Sequence, residues 1–310
     1  MIAEIRPTNA SLSTMWAIKN YPDLNDFFQI SKKMGFEKVE LNHQVDSAML
    51  SLVNFDHLQI SSIHEPCPAD IPTKQLVDRD WLISSHIEPN RQQGITAVRQ
   101  SILLAHRLGA PVVVVHCGSI RTNTKLEPEL RMLFDAGRSQ SDEYLETQAQ
   151  FIQSRENQAA IPLEAVKKSL IELLEVAELY NVKLGLENRY HYLDIPSVDE
   201  MGELLSLADD SRLGFIYDVG HAQALDRLGF YAHKDWLKRF AGRMFGIHLH
   251  DVLGVADHKA PGLGDVDFTS IASFIPENAF RTIEVQPGNT LAQLKQGLQL
   301  LVEAGCIKYL

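Results

Sequence analysis

Four residues of this chain could bind a cation if folding brought them together: Glu187, Asp218, His248 and Glu284. Each lies at or near the end of an apolar run. The runs are Val182-Lys-Leu-Gly-Leu-Glu187, Leu213-Gly-Phe-Ile-Tyr-Asp218, Met244-Phe-Gly-Ile-His248 and Arg281-Thr-Ile-Glu284. The four positions are 31, 30 and 36 residues apart. A strand with its return helix takes roughly 30 residues. One ligand-type side chain therefore recurs per unit, at the same end of successive strands. Three carboxylates and one imidazole suit a divalent ion such as Mn, Co, Zn or Mg. They lack the thiolates of a structural zinc site. A single Asp after a strand is more often a helix cap. Four such positions in register point to a metal.

Other candidates fall at equivalent places. His64 and His116 end the third and fourth strands, either as ligands of a second metal or as partners of substrate oxygens. His221 follows Asp218 by three residues, where it could instead orient a ligand. His258 lies in the loop after the seventh strand. Arg189 and Lys259 are loop cations that could meet a phosphate or be solvated. His43 is a marginal pocket residue. His250 is expected to face away from His248 and is left out of the site. His57, His86, His106, His191 and His233 read as surface or loop residues.

The elements that must position these groups follow from pattern. Strands are expected at 13–19, 37–42, 57–64, 111–116 and 182–187, and in the runs ending on Asp218, His248 and Glu284. Helices are expected at 22–34, 45–53 and 162–180, near 197–207, from 223 to 241, near 267–275 and after 290. Another is marked by Ile95, Val98, Ile102 and Ala105 at helical spacing. Gly35 and Gly109 are helix stops. The four valines before His116 suit a strand buried on both faces. Residues 65–88, with three prolines, and Asp251 to Asp265 read as loops. Strict alternation implies a parallel sheet. Eight units in 310 residues imply an α/β fold, a closed (β/α)8 TIM barrel forming one domain over 1–310. Its site belongs at the C-terminal ends of the strands. The gap from His116 to Glu187 is 71 residues. Residues 118–160 are therefore an insertion after strand four, polar in composition. They emerge where an active-site lid would, or form a solvated excursion.

Composition bounds the rest. A net charge of −11 argues against a general nucleic-acid binder. Cys67, Cys117 and Cys306 form no spaced cluster, which fits a reducing compartment. No signal pattern opens the chain and no apolar run reaches membrane length. A cytoplasmic protein is expected, with no membrane partner.

Taken together, Val115-His116-Cys-Gly118, Leu186-Glu187-Asn188, Tyr217-Asp218-Val-Gly-His221, His248-Leu-His-Asp251, Asp257-His258-Lys-Ala-Pro-Gly262-Leu-Gly264 and Ile283-Glu284 carry a resemblance. The chain resembles the xylose-isomerase-like TIM-barrel superfamily over nearly its whole length. That superfamily holds sugar and sugar-phosphate isomerases and epimerases, inosose dehydratases and the endonuclease IV group. In the isomerase and epimerase branch, the resemblance implies that Glu187, Asp218, His248 and Glu284 hold one metal. The metal would chelate a carbonyl and a neighbouring hydroxyl of a small carbohydrate or cyclitol, lowering the cost of an enediolate. Glu187 and Glu284 would exchange the proton beside the carbonyl.

In the endonuclease IV group the resemblance implies several zinc ions and hydrolysis of abasic DNA. His64, His116 and Glu187 match a first site. The four residues above match a second, and His221 with His258 match part of a third. That group has an Asp where Ala256 stands here, with Asp257 beside it. The acidic balance and the lack of an aromatic and basic stretch weigh against a DNA substrate. A barrel that only binds sugars is a third reading, which the intact acidic set opposes.

Overall fold

Ten strands carry the architecture of the computed structural model, which describes residues 6–16, 20–21, 23–55 and 58–310. They are β1 Thr8–Ser13, β2 Phe36–Leu41, β3 Gln59–His64, β4 Val112–Val115, β5 Lys183–Glu187, β6 Leu213–Asp218, β7 Met244–Leu249, β8 Asp251–Leu253, β9 Ala256–Lys259 and β10 Phe280–Ile283. Eight of them close a barrel in the order β1-β10-β7-β6-β5-β4-β3-β2. All its neighbouring strands are parallel. The expected (β/α)8 TIM barrel is what forms.

The valine run of β4 shows why the barrel closes. Val113 and Val115 belong to the large core beneath the surrounding helices. Val112 and Val114 point the other way, into the barrel, and pack with Ile216, Phe245 and Phe280. Both faces are dry, as a parallel strand requires. Two glycines make room for the rings. A Cβ at Gly214 would sit 2.5 Å from the Phe245 ring, and one at Gly246 2.2 Å from Phe280. The lower barrel is thereby filled with aromatic side chains, and the polar residues sit above this floor.

Several expectations shift. The first strand spans 8–13 rather than 13–19, and residues 14–16 form a 3-10 turn. Its serines hid it: Ser11 and Ser13 face inward to Thr282 and Glu284, while Ala10 and Leu12 are buried. The stretch 65–88 contains a helix, Thr73–Asp78. The loop from Asp251 to Asp265 begins as an antiparallel hairpin of β8 and β9. Residues 17–19 and 22, His57, and the first five residues with the N-terminal signal reading lie outside the described residues.

Residues 118–160 are not a solvated excursion. They form two helices, Leu126–Asp135 and Asp142–Glu156. Leu130, Leu133, Tyr144 and Phe151 build a second core with Tyr192 and Leu228. Arg155 clamps the far end, donating to Glu200 Oε2 at 2.6 Å and to the Tyr192 carbonyl at 2.8 Å. Tyr144 Oη donates to the Leu228 carbonyl at 2.9 Å. The polar composition misled because the buried and half-buried charges among them, Glu127, Arg131 and Arg155, have internal partners.

No helix among the described residues is long and apolar enough to cross a membrane.

Candidate metal centre

Successive side chains of a strand alternate between faces. In this barrel the inward set ends in polar residues on all eight strands, Ser13 on β1 and Glu40 on β2 among them. The inward column of β5 ends on Glu187, that of β6 on Asp218, and that of β3 on His64. His116 and Glu284 stand one residue beyond β4 and β10. His248 is the Cα partner of Asp218 across β6–β7 and of Thr282 across β10–β7. Glu187, Asp218, His248 and Glu284 are all buried.

Their atoms converge on one ring nitrogen. His248 Nδ1 lies 2.7 Å from Glu187 Oε1, 2.9 Å from Glu284 Oε2 and 3.6 Å from Asp218 Oδ2. Glu187 Oε1 and His248 Nδ1 are nevertheless without a hydrogen bond. That 2.7 Å contact is not a hydrogen bond, so both atoms keep unspent bonding capacity at a common centre. Buried polar atoms normally find partners. Two such orphans facing one point are what a cation site presents. His64, Glu187, His248 and Glu284 each offer a ligand atom, all within 4.8 Å of one another.

The other ring nitrogen of His248 fixes the imidazole. Its Nε2 lies 3.2 Å from Glu40 Oε2, which also accepts from Ser62 Oγ at 2.6 Å. Glu40 comes from the middle of β2 and is fully buried. A carboxylate behind a ligand histidine orients the ring and raises its basicity. Sequence reading missed Glu40. Its signal was a lone charge inside the apolar run Val39-Glu40-Leu41, on the inward parity of Asn42.

His250 was also misplaced. Residues two apart on a strand share a face, so Leu249 turns outward and His250 returns to the site. His250 Nδ1 accepts the His258 N–H at 2.8 Å. Its proton is therefore on Nε2, which lies 2.9 Å from Asp218 Oδ1 and 3.0 Å from Oδ2. Asp218 is in addition the cap of the helix Val219–Arg227, accepting the His221 N–H at 2.7 Å. The cap and the ligand-type roles fall on one residue. The Asn188 amide bonds both backbone groups of Asp218, at 2.8 and 2.9 Å.

The remaining candidates divide between two clusters. His116 Nε2 is 3.1 Å and His64 Nε2 3.6 Å from Glu187. Asp218, His221 and His258 form a second group with ligand atoms within 4.8 Å. Asp257 joins it, 3.0 Å from His258 Nδ1 and 3.6 Å from His221 Nε2. The acid that the sequence offsets by one residue therefore reaches the cluster. Arg189 is not a free loop cation. Its guanidinium bonds Glu187 and lies 3.6 Å from Asp194. Lys259 is half-exposed on β9. The His43 ring lies 5.6 Å from that of His64. His191 is an exposed loop residue, as expected, and its Nδ1 contacts Glu127 at 2.9 Å.

The electrostatics follow from this crowding. Burial disfavours charge on His64, yet the bond and charge of Glu187 raise it to about 9. Burial likewise opposes charge on His248, but Glu40 and Glu284 hold it well above the usual imidazole value. Burial pushes Glu187 up, and His116, His248 and His64 more than offset this, so its carboxyl stays well below the usual range. His116 is depressed by burial and by Arg189. A site whose carboxylates stay ionised while buried, and draw protons onto His64 and His248, has an unmet demand for positive charge.

Comparison with known proteins adds a family and a fold. The family described as xylose isomerase-like TIM barrel matches residues 28–303. An uncharacterised protein of Methanocaldococcus jannaschii is 25% identical over 190 residues, covering 60% of this chain and 54% of that one. The matched region thus spans little more than half of that relative. Among solved structures, a D-tagatose 3-epimerase-like protein matches with a TM-score of 0.63 at 19% identity, over 97% of both chains. The IOLI protein with a bound zinc atom matches at 0.64 and 16%, over 99% of both chains.

Proposed function

Because the chain belongs to the xylose isomerase-like TIM barrel family, we propose that it is a divalent-metal-dependent sugar or sugar-phosphate isomerase or epimerase, or a related dehydratase. One observation carries this reading: Glu187 Oε1 and His248 Nδ1, buried and unbonded, meet beside Glu284 Oε2 at a single centre. The donor set fits a cation, with oxygen from three carboxylates and nitrogen from an imidazole fixed by Glu40. Glu187, Asp218, His248 and Glu284 would hold it. A cation bound there supplies Lewis acidity toward a substrate carbonyl.

The chain's own residues then divide the work. Glu187 on β5 and Glu284 after β10 approach the centre from different sides of the barrel. One takes the proton beside the carbonyl and the other returns it. His64 and His116 flank Glu187 and are placed to bond substrate hydroxyls. Arg189 balances the charge of Glu187 and limits its basicity. The aromatic floor of Phe245 and Phe280 closes the site from below. Support for a small carbohydrate substrate comes from the D-tagatose 3-epimerase-like fold neighbour, and support for a metal from the neighbour with zinc bound. The test is exchange: metal-replete protein incubated in deuterated water should place deuterium beside the carbonyl of a ketose or an inosose. No exchange across a panel of both would sink the reading.

The second cluster favours a second reading. Asp218, His221, His258 and Asp257 could hold a further cation. Two or three metals together suit in-line attack on a phosphodiester, as the endonuclease IV resemblance implies. Elemental analysis separates the two. About one metal per chain fits the isomerase, while two or three, with nicking of abasic-site DNA, fit the hydrolase.

A further inference from the structure

A cavity of about 370 Å³ lies beside the barrel mouth, between the 65–88 segment and the loops after β4 and β5. Glu65, His116 and Arg189 line it, so it borders the acidic cluster directly. A second cavity, about 570 Å³, shares Val77, Ser119, His191 and Asp194 with the first. Proton transfer at Glu187 and Glu284 makes no use of this space. Cavities of roughly 300–1,000 Å³ hold whole small-molecule ligands, so the space exceeds what one sugar over the cluster requires.

Its lining has two characters. Leu76, Val77, Trp81 and Val98 give an apolar surface. Arg79 stacks over the indole of Trp81 at 4.6 Å and holds it in place. Beside them are polar groups with capacity to spare. Thr73 Oγ1 is buried in the lining without a hydrogen-bond partner. Glu65 is buried, and one of its oxygens accepts the His116 N–H at 2.9 Å. Among the described residues no other hydrogen bond to that carboxylate is formed. An indole next to an unpartnered hydroxyl and a carboxylate matches a pyranose ring, whose C–H face is apolar and whose rim carries hydroxyls.

We propose that this side cavity binds a second sugar ring, so that the substrate is a glycoside. The keto-bearing unit sits over the acidic cluster, and the linked pyranose lies along Trp81 with its hydroxyls on Thr73 and Glu65. The inference rests on the isomerase or epimerase reading above. The buried hydroxyl and carboxylate are what set a sugar apart from a purely apolar appendage, because an apolar group would leave both unsatisfied.

The experiment compares free ketoses with keto-disaccharides on the metal-replete protein. Fructose and tagatose are set against maltulose, lactulose and isomaltulose. Calorimetry reads affinity, and deuterium uptake from solvent reads turnover. At least one disaccharide should bind about tenfold or more tighter than either free ketose. Trp81→Ala and Thr73→Val should each bring that ratio to within about twofold. Thr73→Val keeps the side-chain size and decides the matter if Trp81→Ala does not fold. Equal affinity for the two classes, or a preference that both variants retain, overturns the inference. Deuterium uptake into free ketoses with no disaccharide preference overturns it alone. Uptake into neither class overturns this inference, and uptake into no inosose either overturns the parent reading with it.

Discussion

Glu40 Oε2 stands 3.2 Å from His248 Nε2, on the side of the ring away from the acidic cluster. With Nε2 bonded to Glu40, His248 presents Nδ1 to Glu187, Asp218 and Glu284. Removing such a carboxylate typically costs 10–100-fold in metal affinity. Glu40→Ala should therefore weaken binding of Mn²⁺ or Zn²⁺ by about 10–100-fold. Glu40→Gln, which can still accept from Nε2, should lose less. Competition against a chelating dye measures both. Unchanged affinity in Glu40→Ala would remove Glu40 from the site.

Glu187→Gln and Glu284→Gln test the proton-transfer roles. General acid–base catalysis contributes about 10²–10⁴-fold, and each residue is also a proposed ligand. Each variant should therefore fall by at least about 10²-fold in turnover while keeping a native circular dichroism spectrum. Metal content measured alongside separates lost binding from lost chemistry. Near-normal turnover in either variant refutes the assignment.

Metal should stabilise the fold, because a cation that binds only the folded barrel pulls the equilibrium toward it. At about 100 times its dissociation constant the gain is about 2.7 kcal/mol. Chelator-treated protein should then unfold several degrees lower than metal-replete protein in a thermal scan. Glu284→Gln should lose most of that shift. An identical midpoint with and without metal would contradict a site in the barrel.

The helical insertion carries a pH signature of its own. Glu127 is buried and accepts from Arg131 Nε at 2.9 Å and from the Tyr192 N–H at 3.3 Å. Burial opposes its charge, yet His191 and Arg131 hold its carboxyl below the usual value of 4.5. A depressed folded value stabilises above the unfolded one, and that contribution disappears as pH falls through the folded value. Glu127→Gln should cost about 1–3 kcal/mol at pH 7. The gap to the native chain should narrow as pH drops below 4.5. Urea unfolding at several pH values measures it. A gap that widens on acidification would show that Glu127 does not act through its charge.

The barrel was legible because alternation is written locally. Apolar runs such as Val112–Val115 and helix stops such as Gly109 mark each unit without reference to any other. The ends of those runs likewise pointed to Glu187, Asp218, His248 and Glu284. Strands made of small polar residues were not legible, and β1 was displaced for that reason: its Ser11 and Ser13 look like turn residues until Thr282 and Glu284 are seen across from them.

What the sequence determined alone is the number of units and the residue type at each strand end, since both follow from periodicity along the chain. Only the tertiary structure decided that Glu40 lies behind His248, that His250 fixes Asp218, and that Arg189 is spent on Glu187. Those contacts join residues from different strands. Their meeting depends on barrel closure and register, which bring together side chains that no local pattern relates.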